Sequence, residues 1–209
     1  MKALVPKKKI KIAEYPFTTV KPQVAYIEDF QSESDADDSE SFSLSIADLP
    51  GLIEGASMNR GRGRAFLKHL EYSDLLLLVI DVLGFKFDLS LNNPYRSALE
   101  TIALLNIELE KYDPSLVSKP SVIALNKIDL SDGRQKAEEL MAILKNENWP
   151  QKLTDEMRPH QPLNIKAVIA MAAKYRELGD LKNQLKVLYK RTHRLLAPDV
   201  DSGTGAVLA

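Results

Sequence analysis

Two apolar segments that each end in a polar, turn-forming motif constrain this chain more than any other feature. The first is Ile46-Ala47-Asp48-Leu49-Pro50-Gly51-Leu52. It reads as a buried strand that ends on Asp48 and turns sharply through Pro50-Gly51. The second is Leu125-Asn126-Lys127-Ile128-Asp129, which closes the apolar run from Ser121 to Leu125. In α/β folds, ligand contacts gather in the loops beyond the carboxyl ends of parallel strands. Two such endings in one chain therefore predict an α/β architecture with its chemistry at one edge of the sheet.

The remaining pattern agrees. Residues 21–29 read as a strand carrying Val24, Tyr26 and Ile27, and 42–48 as a strand entering the core. Leu75 to Val82 is a continuous apolar run, expected for a parallel strand buried on both faces. Asn164 to Ala172 is a further strand. Helical spacing marks Arg62 to Ser73, Ser97 to Tyr112, Asp132 to Asn146 and Leu178 to Leu196, with Asp113-Pro114 stopping the second of these. Alternation of strands and helices from Phe42 onward predicts a mostly parallel sheet flanked by helices. The segment 31–40 holds five acidic residues and three Ser, and reads as a solvated loop or a modification site. Asn146 to Pro162 reads as a surface excursion, and 197–209 as a disordered tail. No second-domain linker or internal repeat is visible, so 1–196 reads as one unit.

Composition narrows the chemistry. Apolar residues make up 44% of the 209, enough for a real core, and the net charge of −1 gives no global pull toward nucleic acid or membrane. Cysteine is absent, and the three His (His69, His160, His193) are far apart, which argues against thiolate or imidazole metal sites. No apolar run reaches the roughly 18 residues of a membrane span. The first eleven residues hold five Lys but no Ser or Arg and no apolar h-region, unlike a signal or transit peptide.

Each motif has a specific chemical capacity. An Asp at the end of such a strand can sit beside Mg²⁺, and Gly51 lets a phosphate approach its N–H because no side chain intervenes. Asp129 can accept both N–H donors of the guanine Watson–Crick edge, a pair adenine does not supply. Asn126 can hold neighbouring loops, and the Lys127 stem can lie over the base. Taken alone, Asn-Lys-x-Asp is equally ordinary turn chemistry; its pairing with the upstream Asp-x-x-Gly strand favours a nucleotide role. A Thr in Tyr15-Pro16-Phe17-Thr18-Thr19 can ligate Mg²⁺.

In combination these motifs are specific. Tyr15-Pro16-Phe17-Thr18-Thr19, then Asp48-Leu49-Pro50-Gly51-Leu52-Ile53-Glu54-Gly55-Ala56, then Phe66-Leu67-Lys68-His69-Leu70, then Asn126 to Asp129 resemble the Obg family of GTPases. Residues 55–61 and 66–69 are similar to a mitochondrial branch of that family. The resemblance covers about residues 5 to 195 and implies a P-loop NTPase-type G domain that binds GTP or GDP with Mg²⁺, hydrolyses GTP slowly and assists assembly of the large ribosomal subunit. It implies a first switch at Phe17, Thr18 and Thr19, with Thr19 on Mg²⁺. Asp48 would hold Mg²⁺ through water, with Leu49, Pro50 and Gly51 at the γ-phosphate. Asn126, Lys127 and Asp129 would read guanine. The last base-contacting loop, usually Ser-Ala, stands here as Ala172-Ala173-Lys174, so the Ala173 N–H is expected to reach the base while a supporting hydroxyl is lost. Leu52 occupies the position where many small GTPases carry a water-positioning Gln, and no catalytic side chain is assigned.

One element of the family pattern is missing. No Gly in these 209 residues is followed by Lys, so Gly-x-x-x-x-Gly-Lys-Ser/Thr does not occur. In the family that loop follows a strand lying between those formed here by about 42–48 and 75–81. Its loss would leave two strand edges unpaired, at about 1–3 kcal/mol per unsatisfied group against a domain stability of about 5–15 kcal/mol. The family's glycine-rich N-terminal domain is absent too. The expectation is an N-terminally truncated member with impaired nucleotide binding. The competing class is a nucleotide-independent relative that binds ribosomal RNA or protein. Arg60, Arg62 and Arg64 form either a basic loop for RNA phosphates, an arginine finger in cis or a solvated loop. The Lys182, Lys186 and Lys190 stripe, with Arg191 and Arg194, reads as a solvated helix face or an RNA contact. The chain is expected to be monomeric and mitochondrial, with nucleolar or cytoplasmic placement as alternatives.

Overall fold

The computed structural model describes residues 3–4, 10–12, 23–27, 44–48, 67–68, 70–86 and 95–196. Two three-stranded sheets organise them. The first is antiparallel, in the order β1 (Ile10–Ile12), β2 (Gln23–Ile27), β3 (Leu44–Asp48). The second is parallel, in the order β4 (Leu76–Asp81), β7 (Ser121–Asn126), β8 (Ile165–Met171). A small hairpin, β5 (Phe85–Lys86) with β6 (Tyr95–Arg96), follows β4. The helices are α1 (Ala98–Tyr112), α2 (Pro114–Ser118), α3 (Gly133–Leu144) and α4 (Leu181–Leu196).

Strand β7 is the centre of the parallel sheet, and its alternation sorts two cores. Ile123 and Leu125 face the larger one, with Leu78 and Ile80 of β4, Ile102 and Leu109 of α1, and Leu140 and Leu144 of α3. Val122 and Ala124 face the smaller one, with Ile169 and Met171 of β8 and Leu181, Leu185 and Leu188 of α4. Ala25, Ile27 and Leu44 of the antiparallel sheet join this second core. A period of two thus buries every residue of β7 up to Leu125. At about 1.5–3 kcal/mol per fully buried aliphatic side chain, these layers dominate the stability.

Several expectations need correction. β4 is not buried on both faces: Leu76, Leu78 and Ile80 are buried, but Val79 is 54% exposed. The second core covers β7 and β8 and thins toward β4, which pairs only with β7 among the described residues. As the unpaired edges expected there imply, β3 and β4 are not hydrogen-bonded to each other. β1 and the β5–β6 hairpin escaped the sequence reading, because strands of three and two residues are too short for a period to mark them. Residues 31–40 and 197–209 lie outside the described residues, as do Arg60, Arg62 and Arg64.

Local chemistry explains the helix boundaries. Ser97 caps α1 reciprocally with Glu100: its Oγ accepts from Glu100 N–H at 3.2 Å and its own N–H donates to Glu100 Oε2 at 2.7 Å. Asp113-Pro114 does not merely end α1. Asp113 Oδ1 accepts the Ser115 N–H at 2.9 Å, and Pro114 opens α2 without an orphan donor. These bonds from Ser115 hold the Asp113 carboxyl below its usual range. Residues 67–68 and 70–71 are helical, as expected for the Arg62 to Ser73 segment. Lys119 closes that helix end, its Nζ donating to the carbonyls of Leu70, Glu71 and Ser73 at 2.8, 2.8 and 2.7 Å. Burial lowers the Lys119 pKa from its ordinary value, with Asp74, Asp113 and Glu71 opposing that shift.

The excursion 146–162 is not simply superficial. Trp149 and Leu153 insert into the larger core from short 3₁₀ turns. Asn106, fully buried on α1, clamps the end of the excursion. Its Nδ2 donates to the Gln161 carbonyl and its Oδ1 accepts from Leu163 N–H, both at 2.8 Å. Asn106→Ala removes both bonds, leaving the buried Leu163 N–H unpaired and the part-buried Gln161 carbonyl without its partner. We expect a loss of about 3 kcal/mol, measured as a lower urea midpoint with an unchanged slope.

Candidate functional site

The carboxyl ends of β4, β7 and β8 lie side by side because the parallel register places Asp81 opposite Asn126, and Asn126 opposite Met171. The chain then leaves each strand in a hydrogen-bonded turn. Val82 N–H donates to the Asn126 carbonyl at 3.0 Å, and Ile128 N–H to the Met171 carbonyl at 3.3 Å. The three strand ends thus form one continuous surface.

Within it, the sequence-predicted base-reading residues come together. Asn126 Oδ1 accepts the Ala173 N–H at 3.0 Å, tying the loop after β7 to the loop after β8. Its Nδ2 has no hydrogen-bond partner among the described residues. Ile128 is buried and plugs the loop into the larger core, while Lys127 and Asp129 on either side are exposed. Asp129 has no hydrogen bond or ion pair among the described residues, so its carboxylate is free to accept. The expectation that the Ala173 N–H reaches a base oxygen is modified: this N–H is bonded to Asn126, and a base oxygen would share it.

The backbone of this loop is tightly specified. Lys127 and Asp132 adopt left-handed conformations, at φ 72° and 60°. Leu130 N–H donates to the Lys127 carbonyl, and Gly133 N–H to the Leu130 carbonyl, at 3.2 and 3.0 Å. Gly133 starts α3 so close to the loop that a Cβ there meets the Lys127 carbonyl oxygen at 2.7 Å and Ile128 Cα at 2.9 Å. Both obstacles are backbone and cannot swing away.

The loop after β8 closes on itself. Ala172 N–H donates to the Glu177 carbonyl at 2.7 Å, and Glu177 N–H returns to the Ala172 carbonyl at 3.2 Å. The Glu177 carboxylate meets Arg134 Nη2 at 2.9 and 3.3 Å, fastening this loop to α3. Lys174 Nζ lies 5.2 Å from the Tyr175 ring centroid, a cation–π contact.

Sequence reasoning missed three contributors here: Asp81, Gly133 and the Arg134–Glu177 pair. Asp81 was hidden inside an apolar run, although a carboxylate in such a run is itself a signal. Of the remaining predicted residues, Asp48 is the exposed last residue of β3. Phe17, Thr18, Thr19, Leu49, Pro50 and Gly51 lie outside the described residues.

Residues 1–127 match the family described as 50S ribosome-binding GTPase. This chain belongs to that family. It is 44% identical over 169 residues to GTP-binding protein 10 of Xenopus tropicalis, an overlap covering 79% of this chain and 40% of that protein. With GTP-binding protein 10 of Homo sapiens it is 41% identical over 179 residues, covering 84% and 43%. GTPase Obg of Persephonella marina is 36% identical over 148 residues, covering 71% and 38%. The chain is therefore an Obg-family member of the GTP-binding protein 10 branch, and it spans about two fifths of the length of these curated relatives. The fold is similar to the cytosolic domain of the T. maritima FeoB iron transporter in a GDP form, with a TM-score of 0.52 at 17% identity over 91% of this chain and 56% of that one. The corresponding domain from L. pneumophila gives 0.52 at 20% identity over 90% and 56%.

Gly133→Ala is expected to cost about 1–3 kcal/mol, because backbone must shift to admit the methyl. The shift falls on Lys127 and Ile128, so amide NMR signals of 126–129 should move more than those of α1.

Proposed function

We propose that this Obg-family chain reads the guanine base with the loops after β7 and β8. The observation that carries this is the Asn126 Oδ1 bond to Ala173 N–H, which joins the loops while leaving the Asp129 carboxylate free. A carboxylate there accepts from guanine N1–H and the exocyclic N2 amino group together. Adenine offers a lone pair at N1 and only C–H at C2, so the same carboxylate repels it. The Lys127 stem supplies apolar cover, and the Asn126 Nδ2 a further donor.

The rest of the nucleotide is held by other residues. In this reading Thr19 and Asp48 serve Mg²⁺, with Phe17, Thr18, Leu49, Pro50 and Gly51 around the phosphates. An exposed carboxylate at the end of β3 suits a cation that keeps most of its waters and takes few protein ligands. When bound, Mg²⁺ neutralises phosphate charge. The 209 residues contain no Gly-Lys step, so the P-loop lysine and its N–H cradle are not supplied. Affinity therefore rests mainly on the base, in the high micromolar to millimolar range, and micromolar binding of labelled GDP contradicts this part of the reading. With Leu52 after Gly51, hydrolysis is slow or absent.

At the level of the cell, we place the protein with large-subunit assembly in mitochondria, as a monomer. The family description supports the ribosomal part, and the branch resemblance alone supports the compartment. No helix among the described residues is long and apolar enough to cross a membrane.

The decisive substitution is Asp129→Asn. An Asn presents one acceptor and one donor, matching the N1–H and C2 carbonyl of xanthine. GDP binding should fall at least about tenfold while xanthosine diphosphate binding rises, as followed by NMR titration. Equal GDP affinity in both forms, or ribosomal binding insensitive to this change in the absence of GDP binding, contradicts the proposal and favours a nucleotide-independent binding role.

A further inference from the structure

Asp81 holds a charge that base recognition as described leaves unassigned. It is the last residue of β4 and sits opposite Asn126 in the parallel register. Its Oδ1 accepts the Leu83 N–H at 3.1 Å, and its Oδ2 meets Lys127 Nζ at 2.5 Å. The carboxylate is thus fastened to its own turn and cannot follow the lysine about. The ammonium end of Lys127 is held from outside its own loop, while its backbone is held in a left-handed turn.

This arrangement bears on the base directly. A free lysine side chain loses considerable rotamer entropy when a ligand packs against its stem. Here both ends of that side chain already have partners before any ligand arrives, the backbone in its turn and the ammonium on Asp81. The pair is partly sheltered, with the Lys127 side chain 50% and the Asp81 side chain 22% exposed, so solvent screens it less than a fully exposed pair.

We propose that Asp81 is a positioning residue: it sets the course of the Lys127 side chain and thereby strengthens guanine binding. The assignment rests on the reading of these loops as a guanine site. It predicts that the effect of Asp81 operates only through Lys127. A purely architectural Asp81 would instead act through the Leu83 bond at the end of β4, whatever residue stood at 127.

Asp81→Asn separates the two roles, because an amide oxygen keeps the acceptor for Leu83 N–H and loses the charge. Asp81→Ser, whose hydroxyl can also accept that N–H, serves if the Asn form folds poorly. GDP and ADP are titrated by NMR into the full chain as wild type, Asp81→Asn, Lys127→Met and the double variant. GDP affinity should fall about fivefold in each single variant, with the double variant no weaker than Lys127→Met alone. Unchanged GDP affinity in Asp81→Asn, or an equal further loss in the Lys127→Met background, overturns the assignment while leaving guanine recognition standing. A wild-type chain that does not prefer GDP over ADP overturns both.

Discussion

Parallel pairing of β7 with β4 on one side and β8 on the other is the constraint on which the rest depends. It sets three strand ends level with one another, and every described residue proposed to read the base hangs from them. The pairing holds because β7 is apolar on both faces. Ile123 and Leu125 anchor it in one core, Val122 and Ala124 in the other. A register slip of one residue would exchange the two sets and move Asn126 off its neighbours. Ile128 continues the anchoring beyond the strand, so the loop after β7 is pinned to the larger core at its middle.

Polar side chains do a complementary job, tying backbone that no ladder reaches. Asn126 joins two loops, Asn106 secures the excursion to α1, and Lys119 gathers three carbonyls at a helix end. Each uses a donor or acceptor geometry that an apolar residue of the same size lacks. The exposed pairs contribute less: Arg134–Glu177 is solvated on both sides and adds at most about 1 kcal/mol. What the site gains from such contacts is definition, because Lys127, Asp129 and Ala173 are placed before a ligand is bound. Asp81 extends this logic from the backbone to a side chain.

Much of this was legible in the residues. The continuous apolar run of β7 and its Asn-Lys-x-Asp ending located the strand and the turn that follows it, and the helical spacing from Ser97 located α1. Other features were not, for physical reasons. Val79 stands in the same apolar run as Leu78, yet only the tertiary arrangement decides that it is exposed. Asp113-Pro114 carries the same letters whether it stops a helix or starts one; here it does both. Trp149 lies among Pro and polar residues, where no period announces burial. Gly133 becomes indispensable only once Lys127 and Ile128 stand behind it, a relation between segments rather than a local signal.

The central claim is that base recognition is assembled by the sheet and its loops, independently of phosphate contacts. Titrating guanosine, which has no phosphate, into the isotope-labelled chain tests this most directly. The account predicts saturable amide shifts confined to 126–129 and 172–174, with none of comparable size from adenosine. Shifts of equal extent from both nucleosides, or none at these residues at solubility-limited guanosine, would contradict it.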